Sequence, residues 1–398
     1  MHAPLRKVFP ALDRLPTEYL ETAVTLLDPA KVDMPTAALY ITAEVFWRRL
    51  CIARWGPSFD TSPHGNSYKR AFLERHLQEL LERFFPSPDG KNFADLLREA
   101  AALRPFVHNI VTTQLLPQLD VSRVFAGFPQ LLSLTLRYGS SSIGLDYDPA
   151  LLGIGLAGAL TVARLVSSSQ SLLTLNLSQN LIGDEAVHII SRGMLDNSTL
   201  LSVDLSRNTI SDAGARRLAR AIASHPTLVE VNLAHNSIGP VGAAALAEAM
   251  SVSASLRVLD VSLNPLRDDG GVALIRAAAV HPALETLRLS AARLGTNSAD
   301  ALAELVARNT TIEEIDVTGN VLYPTTAAVA ATSTHGGGRE LLAALQANPS
   351  SAITMLSSQR CNMDVNVTKS IAGLLFTRRA AVKQRHRKLF EEGWDSLN

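Results

Sequence analysis

The chain has 398 residues, 47% hydrophobic and 5% aromatic, with 37 basic and 37 acidic side chains and two cysteines. That length exceeds an ordinary single compact domain, and zero net charge excludes a general nucleic-acid or lipid-surface binder, whose attraction needs a basic excess. Cys51 and Cys361 are too few for a disulfide framework or a cysteine-rich zinc module, and no stretch offers a signal-peptide core or about 18 uncharged apolar residues, so a soluble protein of a reducing intracellular compartment is expected.

Residues 1–125 show no internal repeat and read as an all-helical N-terminal capping and docking domain. In RAFLERHLQELLERFF, Phe72, Leu73, His76, Leu77, Leu80, Leu81 and Phe84 fall on one helical stripe, which Pro86, Pro88 and Gly90 end. VFWRRLCIARW has the same character, with Phe46, Leu50 and Ala53 or Trp55 spaced for one face.

From Leu172 the chain repeats itself. LLTLNLSQN recurs as LLSVDLSRN from Leu200, LVEVNLAHN from Leu228, LRVLDVSLN from Leu256, LETLRLSAA from Leu284 and IEEIDVTGN from Ile312, each 28 residues after the last. The alternation Val203-x-Leu205 is that of a strand with one apolar face, which one short strand cannot bury alone, so neighbouring copies must stack. Asn180, Asn208, Asn236, Asn264 and Asn320 share the ninth position and predict a structural ladder of side-chain amides bonded to turn backbone. Helix-start signals follow at Ile182-Gly183-Asp184, Ile210-Ser211-Asp212, Ile238-Gly239-Pro240 and Leu266-Arg267-Asp268, where Asp or Ser is expected to cap the first amides of the helix it begins. The Ala/Leu-rich runs beyond them suit close helix packing. The pattern resembles the leucine-rich repeat, L-x-x-L-x-L-x-x-N/C, in the form of ribonuclease-inhibitor-like proteins. The fold class is therefore α/β, a leucine-rich-repeat horseshoe solenoid over residues 126–365. Irregular copies flank the six, one with Leu131, Leu134 and Leu136, the other with Ile353, Leu356 and Cys361; insertions near 139–152 and 323–340 are projecting or disordered loops.

Residues 366–398 read as a C-terminal basic helix. Ile371, Leu374 and Leu375 are placed to cover the last repeat, while Arg378, Arg379, Lys383, Arg385, Arg387 and Lys388 form either a contact for an acidic surface or a solvated helix end. Phe390 and Trp394 beyond them favour docking.

No catalytic, cofactor-binding or metal-binding residue emerges. His335-Gly336-Gly337-Gly338 looks like an esterase oxyanion loop but has no Gly-x-Ser-x-Gly partner, and P-loop, dinucleotide and zinc-protease patterns are absent. His225-Pro226 and His281-Pro282 lie two periods apart and mark a helix-to-strand corner. Surface remains. Strand residues between the apolar positions face the concave side, where Asn176, Asp204, Glu230, Asn232, Asp260, Arg288, Glu314 and Asp316 are the candidate protein-binding face; the alternative is that Asx residues merely suit a tight curved sheet. The fifth copy departs twice, with Arg288 in the acidic row and Ala292 in the ladder.

The stretch from Phe46 to Pro86, with Trp47, Trp55, Tyr68 and the ERHLQ run, followed by these repeats, resembles the family called T-complex-associated testis-expressed protein 1 or dynein regulatory complex subunit 5. The resemblance implies a non-catalytic structural subunit of the nexin–dynein regulatory complex on axonemal doublet microtubules, in the cytoskeleton of a cilium or flagellum. Its expected partners are other protein subunits of that complex and tubulin, with no nucleic acid, membrane or small-molecule substrate and no cofactor. Two alternatives stand beside it. LPTEYLETAVTLLDP before leucine-rich repeats has an F-box-like layout, as in ubiquitin-ligase substrate adaptors. The repeat also resembles that of Ran GTPase-activating proteins, whose acidic tail this basic-ended chain lacks.

Overall fold

The computed structural model describes residues 34–139, 152–323 and 338–395. The segment LPTEYLETAVTLLDP, most of both insertions and His335–Gly337 lie outside them. Two compact units are present, residues 1–180 and 181–398.

In the first unit, α1 (Met34–Tyr40), α2 (Glu44–Trp55), α3 (Tyr68–Glu82) and α4 (Lys91–Leu103) precede β1 (Asn109–Val111), α5 (Val121–Val124), β2 (Ser133–Thr135), α6 (Gly155–Ser168) and β3 (Thr174–Asn176). The N-terminal helices thus run straight into a strand. β1, β2 and β3 pair in parallel, with Ile110 beside Leu134 and Leu134 beside Leu175. The stripe on α3 buries Phe72, Leu73, Leu77 and Leu81, whereas Leu80 is only half-buried and Phe84 lies past the helix end, edge-on to Phe93. On α2 the buried face is Phe46, Trp47, Leu50 and Cys51, and Ala53 is exposed. Trp47 decides this: its indole packs on Phe46 and Phe72 and donates to Ile41 O at 3.0 Å, which rotates the helix away from the spacing expected.

The second unit alternates α7 (Asp184–Leu195), β4 (Ser202–Asp204), α8 (Asp212–Ser224), β5 (Glu230–Asn232), α9 (Pro240–Val252), β6 (Val258–Asp260), α10 (Arg267–Val280), β7 (Thr286–Arg288), α11 (Thr296–Arg308), β8 (Glu314–Asp316), α12 (Arg339–Ala347), β9 (Met355–Ser357) and α13 (Val365–Asp395). Strands β4 to β9 pair in parallel order, with Val203, Val231, Leu259, Leu287, Ile315 and Leu356 in register. The first five of these are buried under helices that pack side by side; Leu356, on the final strand, is half-buried. This is the strand-and-helix leucine-rich-repeat solenoid that the sequence predicts.

α13 buries Ile371 and Leu375 together with Val367; Leu374 is half-buried.

Both thiols are free and buried. Burial pushes Cys51 up to about 12 and raises Cys361, so neither is a ready nucleophile. Asn197 and Asn309, formal glycosylation matches, are buried and accept amides from Leu200 and Ile312, a structural use that leaves no room for a glycan.

Candidate functional site

Each repeat is held to the next by polar contacts that the strand pattern alone does not reveal. Asn236 shows the ladder: its Oδ1 accepts Ile210 N at 3.1 Å from the preceding repeat, while Nδ2 donates to Leu205 O and Leu233 O at 3.0 and 2.9 Å. Asn208 and Asn264 accept Ile182 N and Ile238 N in the same way, and Asn180 accepts Tyr138 N within the first unit. At the final copy Cys361 Sγ takes the place of the amide against Val317 O.

The fifth copy is distorted where Ala292 stands in the ladder. With no side-chain acceptor there, Leu266 N turns to Asn264 O at 2.8 Å, only two residues back, and Arg267 adopts a positive φ of 57°. Asn320 compensates on the other side by accepting both Ala292 N and Leu294 N.

A second set of links corrects an expectation. Asp184, Asp212 and Asp268 do not cap the helices they begin; each carboxylate reaches the helix of the following repeat. Asp184 Oδ1 accepts Ser211 N and Gly214 N, Asp212 Oδ1 accepts Gly239 N and Gly242 N, and Asp268 Oδ1 accepts Gly295 N and Ser298 N. The reason is directional: side chains at a helix start lean back toward the N-terminus and here meet the neighbouring helix's free amides, which carry the positive end of its dipole. Burial works to raise Asp184 and Asp268, but these hydrogen bonds outweigh it and hold both below the usual carboxylate range. Ser211 alone of the four start signals caps its own helix, accepting Ala213 N at 3.3 Å.

The sequence-predicted binding face divides between the units. Asn176 ends β3 in the first; Asp204, Glu230, Asn232, Asp260, Arg288, Glu314 and Asp316 lie on β4, β5, β6, β7 and β8 in the second. They are half-buried except Glu230, which is exposed, and they alternate with the buried apolar residues, so those of the second unit share its sheet side away from the helices. Much of the row is engaged locally. Asp204, Asn232, Asp260 and Asp316 each accept the backbone N–H two residues on, at 2.8–3.0 Å, as does Asn176. These turns end the strands, which is the structural role the Asx row could also have had. Arg288 cannot accept, so Ser290 N goes to Ser262 Oγ instead, and Arg288 Nε donates to Glu314 Oε1 at 3.1 Å. Ser202 Oγ donates to Glu230.

On α13 the basic run also divides. Arg378 is spent within the fold: its Nη2 donates to Leu345 O and Asn348 O at 2.6 and 2.7 Å, closing the C-terminus of α12, and burial lowers its pKa. Arg379 and Lys383 are exposed, Arg379 beside Met355. The side chains of Arg385, Arg387, Lys388, Phe390 and Trp394 lie outside the described residues.

The sequence gives no hint of Glu74. This carboxylate is 1% exposed in the middle of α3's apolar stripe. It accepts His64 Nδ1 at 2.5 Å, Arg70 Nε at 2.8 Å, and the backbone N–H groups of His108 and Asn109 at 2.7 and 2.9 Å, so it ties α3 to the start of β1. Burial would raise its pKa; the four hydrogen bonds hold it below the usual range. No grouping of three or more His, Cys, Asp or Glu suited to a metal occurs among the described residues. No helix among them is long and apolar enough to cross a membrane.

The family described as Leucine Rich repeat matches residues 168–187, 196–219, 224–247 and 252–274. The chain is 31% identical over 181 residues to a protein of Chlamydomonas reinhardtii named Dynein regulatory complex subunit 5, covering 45% of each chain. Proteins of that name from Mus musculus and Homo sapiens are 28% and 29% identical, across 47% of this chain and 43% and 42% of theirs. The matched stretch spans less than half of each relative. Among solved structures, an internalin of Listeria monocytogenes aligns at a TM-score of 0.39 with 14% identity, over 68% of each chain. The resemblance read in the sequence is thus a homology to proteins bearing that name, in a chain built of leucine-rich repeats.

Proposed function

We propose that the chain is a non-catalytic scaffold subunit of the ciliary nexin–dynein regulatory complex, a bracket on axonemal doublet microtubules that supports control of dynein-driven beating. The observation that carries this is the 31% identity to a protein named Dynein regulatory complex subunit 5. The structure is consistent with it in physical terms. Inter-repeat bonds from Asn208, Asn236, Asn264, Asp184, Asp212 and Asp268 fix each strand and helix to the next, which suits an element that transmits load rather than one that opens and closes.

In this reading the partners are other subunits of the complex, and tubulin where an acidic surface meets Arg379 and Lys383. The open sheet face offers Glu230, the second carboxylate oxygens of Asp260 and Asp316, and the Arg288–Glu314 pair. No nucleic acid, membrane or cofactor takes part.

The test is to express the tagged chain in a flagellated cell and follow it through detergent and then high-salt extraction. Axonemal signal that survives detergent and leaves with regulatory-complex subunits is the expected result. A diffuse, detergent-soluble pool with the axoneme empty overturns the proposal.

A further inference from the structure

Helix α9 differs from its neighbours in the second unit because it is apolar on both sides. Its sequence, PVGAAALAEAMSV, buries Ala243, Leu246, Ala247, Ala249 and Met250 and leaves Val241, Ala244 and Val252 exposed, with Glu248 as its one charge. Val252 is 66% exposed, and Val280, its equivalent one repeat on, is 78% exposed. An ordinary surface helix turns such residues inward; α8 does so, presenting Arg216 and Arg220 on its outer side.

A groove of about 330 Å3 runs between α8 and α9, with Ala219, Ala223, Ala245 and Ala249 along it. Arg216 and Arg220 stand on one rim and Glu248 on the other. Beyond α9, α10 contributes exposed Arg276. Among the described residues none of these three guanidinium groups has an ion-pair or hydrogen-bond partner, whereas adjacent Arg217 is paired with Glu185 at 2.9 Å. Two uncompensated cations on one rim therefore face a single carboxylate on the other across an apolar strip, with Arg276 further out beyond α9.

We propose that this strip receives an acidic amphipathic α-helix of a partner protein. The charge selects the sign of the partner, since carboxylates on the flank of a docked helix nearer α8 would meet Arg216 and Arg220. The shape selects a helix. The backbone of α9 is bonded within itself and offers no free edge to an added strand, while alanines let a second helix approach closely and set its ridge into the groove. The proposal does not rest on the axonemal reading, because it concerns binding by the isolated chain and stands or falls whatever the localisation.

The test is fluorescence anisotropy with the full chain and a synthetic peptide about five turns long, with a leucine–alanine seam flanked by glutamates. The same seam flanked by lysines and a polyglutamate of equal length are the comparisons. The acidic amphipathic peptide is expected to bind, the lysine peptide to fail, and polyglutamate to bind at least about tenfold more weakly, since it lacks the apolar half of the contact. Arg216→Glu/Arg220→Glu and, separately, Val252→Asp each weaken the acidic peptide by about tenfold or more, while Arg308→Glu, on α11, leaves it unchanged. All these side chains are exposed, so thermal melts confirm that the variants remain folded. Equal binding by polyglutamate, no binding by the acidic amphipathic peptide, or full affinity in the Arg216→Glu/Arg220→Glu variant overturns the proposal.

Discussion

Asp212 Oδ1 accepts the backbone N–H of Gly242 at 2.8 Å, joining the start of one helix to the start of the next across thirty residues of chain. The same relation holds between Asp184 and Gly214. It explains the glycine: a Cβ at Gly242 would sit 2.6 Å from that oxygen and 2.8 Å from Ile238 Cγ2. Asp212→Ala is expected to cost about 1–2 kcal/mol, because two amides lose a charged acceptor, and Asp212→Asn less, since it keeps one oxygen. Gly242→Ala should destabilise by forcing the carboxylate aside. Urea unfolding of the three variants checks the order, and a neutral Gly242→Ala would refute the contact.

The ladder amides should matter more than any surface polar residue. Asn236→Ala leaves Ile210 N without its acceptor and removes a donor from Leu205 O and Leu233 O in a buried turn, for a loss of about 2–4 kcal/mol. Ala292→Asn runs the other way, offering Leu266 N a ladder side-chain acceptor in place of the bent bond to Asn264 O. A rise in thermal midpoint is expected there, and a fall would mean that the fifth turn cannot relax from its bent form.

Backbone conformation offers a gain of stability. Gln179, Arg207, His235, Leu263 and Ala291 all take left-handed φ values between 50° and 62° at one repeat position, where the sixth copy has Gly319 at 77°. A side chain there costs roughly 1 kcal/mol. Leu263 is exposed, so Leu263→Gly relieves the strain without removing core packing and should stabilise by a few tenths to about 1 kcal/mol, read from chemical denaturation.

Acid should weaken the protein in two stages. Burial lowers His225 and His281 below the ordinary 6.5, and each Nδ1 accepts a backbone N–H at the helix-to-strand corner, Thr227 N at 3.4 Å and Ala283 N at 3.1 Å. A depressed histidine means that the unfolded chain takes up the proton first, so their contribution is full above 6.5 and is lost as pH falls from there through the folded value. Asp184 and Asp268, also depressed, keep theirs until pH drops below 3.8. Asparagine fills the same corner at Asn309, accepting Thr311 N at 2.9 Å, so His225→Asn/His281→Asn should flatten the first stage and leave the second. Melting curves in mildly and strongly acidic buffer separate the two.

Glu74 gives the sharpest test in the first unit. Glu74→Ala would leave the amides of His108 and Asn109 unsatisfied and Arg70 without its buried partner, for a loss of about 3 kcal/mol. Glu74→Leu, suited to its apolar stripe, should fail too. A stable leucine variant would show that the network is dispensable.

The repeat unit, its period, the parallel order of strands and the amide ladder are legible in the amino-acid sequence. Those follow from local alternation and from one residue type recurring at one position, and both are one-dimensional signals. It also marked the fifth copy as anomalous, because an alanine in place of an amide removes an acceptor wherever the neighbours lie. The candidate face was legible only as a row. Whether its carboxylates are free depends on where the next backbone amides point, and the turns took one oxygen from each of Asp204, Asp260 and Asp316. Which other polar groups meet follows from the packing of the elements. Asp212 with Gly242, Arg378 with the end of α12 and Glu74 with His64 join residues about ten to thirty positions apart in sequence whose pairing follows from packing rather than from spacing. The exposed apolar side of α9 belongs to the same class, since PVGAAALAEAMSV is apolar at almost every position and only its neighbours reveal which side has nothing to cover it.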